Sequence, residues 1–542
     1  MNAFALPLLA VATVAAAQAP MSMPMDAAPA SGERLGTVNF AVSCSQPTQA
    51  QFIRGVALLH DFWYAEAQPQ FERIAKDDPS CAMAHWGIAM SVFHQIWDRP
   101  GDRAMKLGWA EIQKAQSLLA NTARERDYIA ALVIFFKPGS QDFMARISAY
   151  SAAMGALYQK YPDDVDAGAF YALSLLASEA PDDTGLRQEH EAMDVLAPLF
   201  GRYPDNPGVV HYIIHSCDNP QMASTALPAA RVYAGIASSS AHAVHMPSHI
   251  FARLGLWQED IDANLKSVGL IEAQKSGAMY MGGHELHAMH FLLYAYLQTG
   301  QDVKAKQILE QAQQIIAAAP KDGEDTGMLE YYGFAQAHFP ALYDLEMHHW
   351  ADAMVLEPAA KAPAHMQTIT YWAQTIGAAR MGDVEAARRS AKKFDAAQDA
   401  VRKSKYAYML EGKNLQRDEV QAWLAFAEKK NDEALSEMRQ VADEQDKVGK
   451  AEVDIPAREM LADMLLESNQ PEEALVEYEK SMKIDPNRFN ELAGAARAAE
   501  MAHQPKKANF YYAKLLKNCD DGKHSERPEL QRAKVELAKN EQ

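Results

Sequence analysis

Leu461, Ala462, Leu465, Ala474 and Tyr478 are matched one for one, at a single constant offset, by Ala495, Ala496, Ala499, Ala508 and Tyr512. The same internal spacing recurs at Gly55, Ala67, Phe71 and Pro79, and again at Leu292, Leu293, Tyr296, Ala305 and Ala312. A unit of about 34 residues, helical in period on both sides of a turn, cannot bury its apolar face alone, so units must stack and share one elongated core. Small residues at matched places let the two helices of a hairpin approach closely. The aromatic fills the gap towards the neighbouring hairpin.

From residue 45 onward the chain is helical in period almost throughout, with no convincing strand. Turn signals at Tyr161-Pro162-Asp163-Asp164, Tyr203-Pro204-Asp205, Gly255, Gly300 and Gly382-Asp383 separate the helices. The pattern predicts an all-α, tetratricopeptide-type helix-hairpin solenoid, wound as a right-handed superhelix, in which the first helix of each pair lines the concave groove. Residues 41–400 read as degenerate repeats carrying a histidine-rich groove, and residues 401–542 as better-formed C-terminal repeats. A more charged, less aromatic stretch near residues 400–455 marks the joint.

A chain of 542 residues exceeds what one ordinary core supports, which also favours an array. Its net charge of −19 argues against nucleic acid and anionic membranes as partners, because both require clustered Lys and Arg. No apolar run after residue 20 approaches the roughly 20 residues of a membrane span. Phe4 to Ala17 is apolar and Ala-rich, and Ala15-Ala16-Ala17-Gln18-Ala19 offers small-residue cleavage sites. Residues 1–19 therefore read as a signal peptide, although Lys and Arg are missing from its start, and the mature protein is expected to be periplasmic or secreted. Residues 20–40 read as a flexible linker; the thioethers of Met21-Ser22-Met23-Pro24-Met25 either suit Cu(I) or belong to a plain tether.

Four cysteines follow. Cys44 precedes the first mature helix and Cys81 follows the Asp78-Pro79 turn that ends the second. In an antiparallel helix pair those points lie close together, so the two thiols can meet as a disulfide. Cys217 reads either as a thiolate ligand or as a small buried residue, and Cys519 lies in a late turn.

Chemistry concentrates between His211 and His290, a short part of the chain that holds eight of the 18 histidines. They read H-x3-H (His211, His215), H-x2-H-x3-H (His242, His245, His249) and H-x2-H-x2-H (His284, His287, His290). At about 100° per residue, His211, His215 and Asp218 share a helix face, as do His242, His245 and His249 if one helix carries them. Same-face imidazoles are how a helix offers two donors to one ion. The helices bearing residues 208–217, 241–254 and 285–297 phase as three successive inner helices, and the step from His211 to His245, one repeat long, fits neighbouring positions along the groove. Asp218, Asp260 and Glu285 can serve as ligands or as acceptors for imidazole N–H groups. Pro247 either bends the helix between His245 and His249 or begins a new one, leaving His242 and His245 in a loop.

No H-E-x-x-H is present, since His284-Glu285-Leu286-His287 spaces its histidines at i, i+3, and a zincin peptidase is not supported. No C-x-x-C-H marks a haem, and no G-x-S-x-G surrounds Ser248. A second aromatic and histidine group, His60, Trp63, Tyr64, His85, Trp86, His94 and Trp97, reads as core, or as the far wall of the same cavity if the solenoid curls. Tyr331, Tyr332, His338 and His365 are candidates for the opposite side.

His211-Tyr212-Ile213-Ile214-His215 followed by His245-Met246-Pro247-Ser248-His249-Ile250-Phe251 resembles a family of exported bacterial tetratricopeptide proteins. Cys81-Ala82-Met83-Ala84-His85-Trp86-Gly87 and Asp485-Pro486-Asn487-Arg488-Phe489-Asn490 are similar to that family too. The resemblance covers nearly all of the mature chain and implies fold and export; it carries no defined activity.

The expectation is thus a groove that binds a divalent transition metal through His211, His215, His242, His245, His249, His284 and His287, with Asp218. Imidazole with carboxylate suits Zn, Fe, Cu or Ni, and an open coordination position would support metal-assisted hydrolysis or oxidation. The rival expectation is a non-catalytic scaffold whose groove grips a peptide or an envelope protein partner.

Overall fold

The computed structural model describes residues 32–539 except 97–98, 119, 140–141, 181–182, 275–281, 320–326, 411–413 and 451–452. The expected signal peptide and the linker up to residue 31, with its Met21–Met25 run, lie outside the described residues, as does Trp97. Residues 1–33 form one unit, of which only Gly32 and Glu33 are described, and residues 34–542 form a second, compact one.

Among the described residues this second unit contains helices and no strand. The helices follow one another in pairs: Gln49–His60 with Tyr64–Asp77, Ala82–Met90 with Asp102–Ser117, and so on to Phe489–Met501 with Pro505–Asn518. Consecutive helices pack on each other and on the next pair, which is the expected all-α helix-hairpin solenoid. No helix among the described residues is long and apolar enough to cross a membrane.

The repeat positions read from the sequence fill the core. Leu461, Ala462, Leu465, Ala474 and Tyr478 are buried, as are Ala495, Ala496, Ala499, Ala508 and Tyr512 one unit later. The reason small residues occupy some of these places is visible at two glycines. The Tyr478 ring lies so close to Gly494 that a Cβ there would overlap it, and the Phe71 ring stands in the same relation to Gly87. The step from aromatic to glycine has the same length along the chain in both cases, so one wedge is used at both ends of the array. The first pair is also closed covalently, because Cys44 and Cys81 form a disulfide with Cα atoms 4.8 Å apart.

Turn signals become helix caps. Asp164 accepts from the backbone of Ala167, and Asn206, just before Pro207, accepts from Val209 at 3.0 Å. Gly255 and Gly382 end their helices in the left-handed region, at φ +61° and +73°.

Long-range ties go beyond the stacking of neighbours. The turn before Phe489–Met501 folds back on the middle of the chain. Trp257 Nε1 donates to the Asn487 carbonyl at 2.8 Å, and Asn487 Nδ2 donates to the Gly255 carbonyl at 3.1 Å. Next to these contacts sits Arg488, fully buried. It pairs with Glu346 at 2.8 Å and Glu459 at 2.9 Å and donates to the Tyr294 hydroxyl. A second tie joins Arg253 Nη1 to the Lys450 carbonyl at 2.6 Å. Among the described residues one apolar cluster gathers buried side chains from Ala252 to Ala533.

Candidate metal centre

Three helical segments carry the histidines: Pro207–Ser216, then Ala241–His245 with Pro247–Arg253, then Gly282–Gln298. The middle segment is neither one helix nor a loop followed by a helix. Met246 keeps helical dihedrals and donates to His242 O, while Pro247, lacking an N–H, begins a second short helix. His242, His245 and His249 thus stay on a nearly continuous helical path.

The imidazole nitrogens converge, but into two groups. His211, His215 and His242 place one ring nitrogen each within 4.8 Å of one another, and so do His245, His249 and His287. In the first group, His211 Nε2 lies 3.0 Å from His215 Nε2 and 3.3 Å from His242 Nε2. In the second, His245 and His249 bring their Nε2 atoms to 3.1 Å. Three nitrogens bound at roughly 2.0–2.1 Å to one ion would be separated by about this amount. Across the groups the approach is looser: ring centroids are 6.2 Å apart for His242 and His245, and 6.3 Å for His215 and His249.

The far sides of the rings are held. His211 Nδ1 donates to the His60 carbonyl at 2.6 Å, His245 Nδ1 to Asn264 Oδ1 at 2.5 Å, and His249 Nδ1 to Asp218 Oδ2 at 2.8 Å. Asn264 is oriented in turn by donating to Asp260 Oδ1 at 2.7 Å, and Asp218 is held by Arg253 Nε at 3.0 Å. His287 Nδ1 meets the Tyr331 hydroxyl at 3.0 Å. A neutral imidazole that donates from Nδ1 presents a lone pair at Nε2, and this outer set of acceptors is what fixes metal-binding tautomers. Desolvation by burial lowers His211 to about 3, His284 to about 4 and His242 well below its usual range, so these three rings are held neutral.

The expected site residues thus separate into roles. His211, His215, His242, His245, His249 and His287 are the converging donors. His284 stands beside the first group, its ring 5.5 Å from that of His242. Asp218 lies past the end of its helix and faces His249 and Arg253 from behind, so it orients a donor instead of joining the converging set. Asp260 acts one step further out, through Asn264, and Glu285 is buried outside both groups. His290 joins neither group: it packs on His338 at 4.8 Å and Phe339 at 5.1 Å, and its Nδ1 meets at 3.2 Å the Tyr331 hydroxyl that His287 also meets. Cys217 is buried, its thiol pushed up to about 12 mainly by desolvation, and it belongs to neither converging group.

Of the second aromatic group, only part reaches the centre. His60 supplies its carbonyl to His211, while its ring joins Asp166 Oδ1 and the Tyr212 hydroxyl, each at 3.0 Å. Tyr64 stacks on His94 at 4.4 Å and on Phe62 at 5.4 Å. His85 is committed to Glu111 at 2.6 Å, and Trp86 packs between Phe40, Phe52 and Tyr128. His365 pairs with Tyr406, away from both groups.

Two residues that sequence reasoning passed over shield the donors. Phe62 is buried against His211, His215 and His242, with centroids 4.4, 5.5 and 5.6 Å away, and its backbone is left-handed at φ +52°. Phe291 covers His245, His249 and His287 at 4.9, 4.7 and 5.4 Å. Each histidine group therefore has an apolar cover of its own and one member, His215 or His287, that is only partly buried.

No family model matches the chain, and no curated protein matches it. Similar solved structures include the P58(IPK) TPR domain, at 11% identity over 92% of this chain and 99% of that one, with a TM-score of 0.22. The Cut9–Hcn1 hetero-tetramer of the APC/C is similar at 11% identity over 91% and 93%, TM-score 0.34. A human IFIT1 dimer is similar at 11% over 80% and 90%, TM-score 0.35.

Proposed function

We propose that the groove binds a divalent transition metal through its histidines. The observation that carries this reading is the facing of His245 Nε2 and His249 Nε2 at 3.1 Å while both Nδ1 atoms donate, to Asn264 and to Asp218. With both Nδ1 atoms donating, two Nε2 atoms this close need a cation between them, either a proton shared by the two rings or a metal ion, and neutral imidazole is the ligand form. Each group offers three ring nitrogens, which would leave a tetrahedral ion one further position for a substrate or water, and this supports metal-assisted hydrolysis or oxidation as the class of chemistry. An imidazole-only donor set suits Zn, Fe, Cu or Ni. Export remains part of the proposal, supported by the N-terminal sequence and by the Cys44–Cys81 disulfide, which suits an oxidising compartment.

The test is elemental analysis of natively exported protein beside a His245→Ala/His249→Ala variant. A stoichiometric transition metal that falls in the variant supports the reading. Absence of metal from both, with the variant folded, leaves the rival: a scaffold that binds a peptide or an envelope protein.

A further inference from the structure

We infer that the groove holds two ions side by side, one per histidine group, so that the site is a binuclear centre written by the repeat itself. This rests on the metal-binding reading above. Each group is built the same way: a pair of histidines at i, i+4 on one helical segment and a single histidine from the next. His211 and His215 are joined by His242, and His245 and His249 by His287. The second pair is the first displaced by the length of one repeat.

Displacement by one repeat moves a point from one of these segments towards the next, and packed helices lie about 8–10 Å apart. Equivalent pairs on successive segments therefore address different points in space. One ion reached by all six rings would need donors no more than about 4.2 Å apart across its diameter, twice a bond of about 2.1 Å. The donors instead gather into two separate groups, each internally close.

The surroundings are duplicated with the donors. Phe62 covers the first group and Phe291 the second, and each group keeps one partly buried ring. The His60 carbonyl holds the first group from behind, and Asn264 and Asp218 hold the second. The partly buried rings, His215 and His287, belong to different groups, and the ring of His249 lies 6.3 Å from the first and 5.5 Å from the second. The donors are all imidazole, the class borne by Cu, Zn, Ni and Fe sites.

The test uses the full exported chain, stripped of metal and titrated with Co(II), read by its visible absorption. The expected break falls at about two equivalents, one for each three-nitrogen site. His215→Ala and His287→Ala, chosen because these are the least buried donors of their groups, should each lower it to about one. A single equivalent in the wild type, lost in either variant, overturns the pair but leaves the metal-binding reading standing. Two equivalents retained in both variants overturn the assignment to these groups. No uptake by a folded wild-type chain removes both inferences.

Discussion

Asp218 receives the Nδ1 proton of His249 at 2.8 Å through one oxygen and the guanidinium of Arg253 at 3.0 Å through the other. The carboxylate therefore sets the direction of a donor without being one. Asp218→Asn should leave the helices folded and weaken metal affinity by about 10–100-fold, the usual effect of removing an outer hydrogen-bond partner. Competition against a chromogenic chelator measures this, and unchanged affinity would refute the positioning role.

Arg488 concentrates several buried carboxylates on one cation: Glu346 at 2.8 Å, Glu459 at 2.9 Å and Glu491 at 3.7 Å. Arg488→Met fills similar space but leaves that charge without its partner. Loss of one member of a buried ionic group costs about 3–5 kcal/mol. Urea unfolding should show a fall of this size; a fall under about 1 kcal/mol, the range of an exposed pair, would mean the tie is slack.

Glu419 is buried and its carboxyl is pushed up to about 8, mainly by desolvation, with Trp372 Nε1 donating to it at 2.8 Å. In the unfolded chain the same group ionises near 4.5. Between those values the unfolded state has released a proton that the folded state keeps. The contribution of Glu419 to folding stability therefore declines as pH rises from about 4.5 to about 8, opposite in sign to that of the buried histidines. Glu419→Gln, which keeps an acceptor for Trp372, should raise Tm at pH 8 and change it little at pH 4. Equal shifts at both pH values would contradict the assignment.

The disulfide between Cys44 and Cys81 joins residues 37 apart in sequence. On the loop-entropy model a closure of that length stabilises by about 4 kcal/mol. The Cys44→Ser/Cys81→Ser variant should lose stability by about that amount in urea unfolding, with metal uptake kept. Loss of uptake would show that the first hairpin shapes the groove through its covalent closure.

The hairpin pattern was legible because it is local. Tyr478 and Ala474 sit at repeat spacing, and the Tyr478 ring fits where Gly494 leaves room. The gathering of histidines was legible for the same reason: the step from His211 to His245 is one repeat. Their sorting into two groups was not. It depends on how far His242 and His245 diverge across the break at Pro247, and no spacing rule reports that. Asp218 shared a face with His211 and His215 only on the assumption that the helix continued, and it ends at Ser216. Phe62 left no signal, because its place beside the rings comes from a left-handed turn between two helices. The contact of Asn487 with Gly255 joins residues whose separation no local period encodes.

An open stack of hairpins loses its terminal units first, each fraying with little consequence for the rest. Here Asn487 and Arg488 are tied to Gly255, Tyr294 and Glu346, and the Lys450 carbonyl to Arg253, which itself grips Asp218. Amide protons from Gly282–Gln298 and from Phe489–Met501 should then exchange with solvent at one common rate, as parts of a single opening event. Truncating the last hairpins would disturb histidines that lie far upstream in the chain.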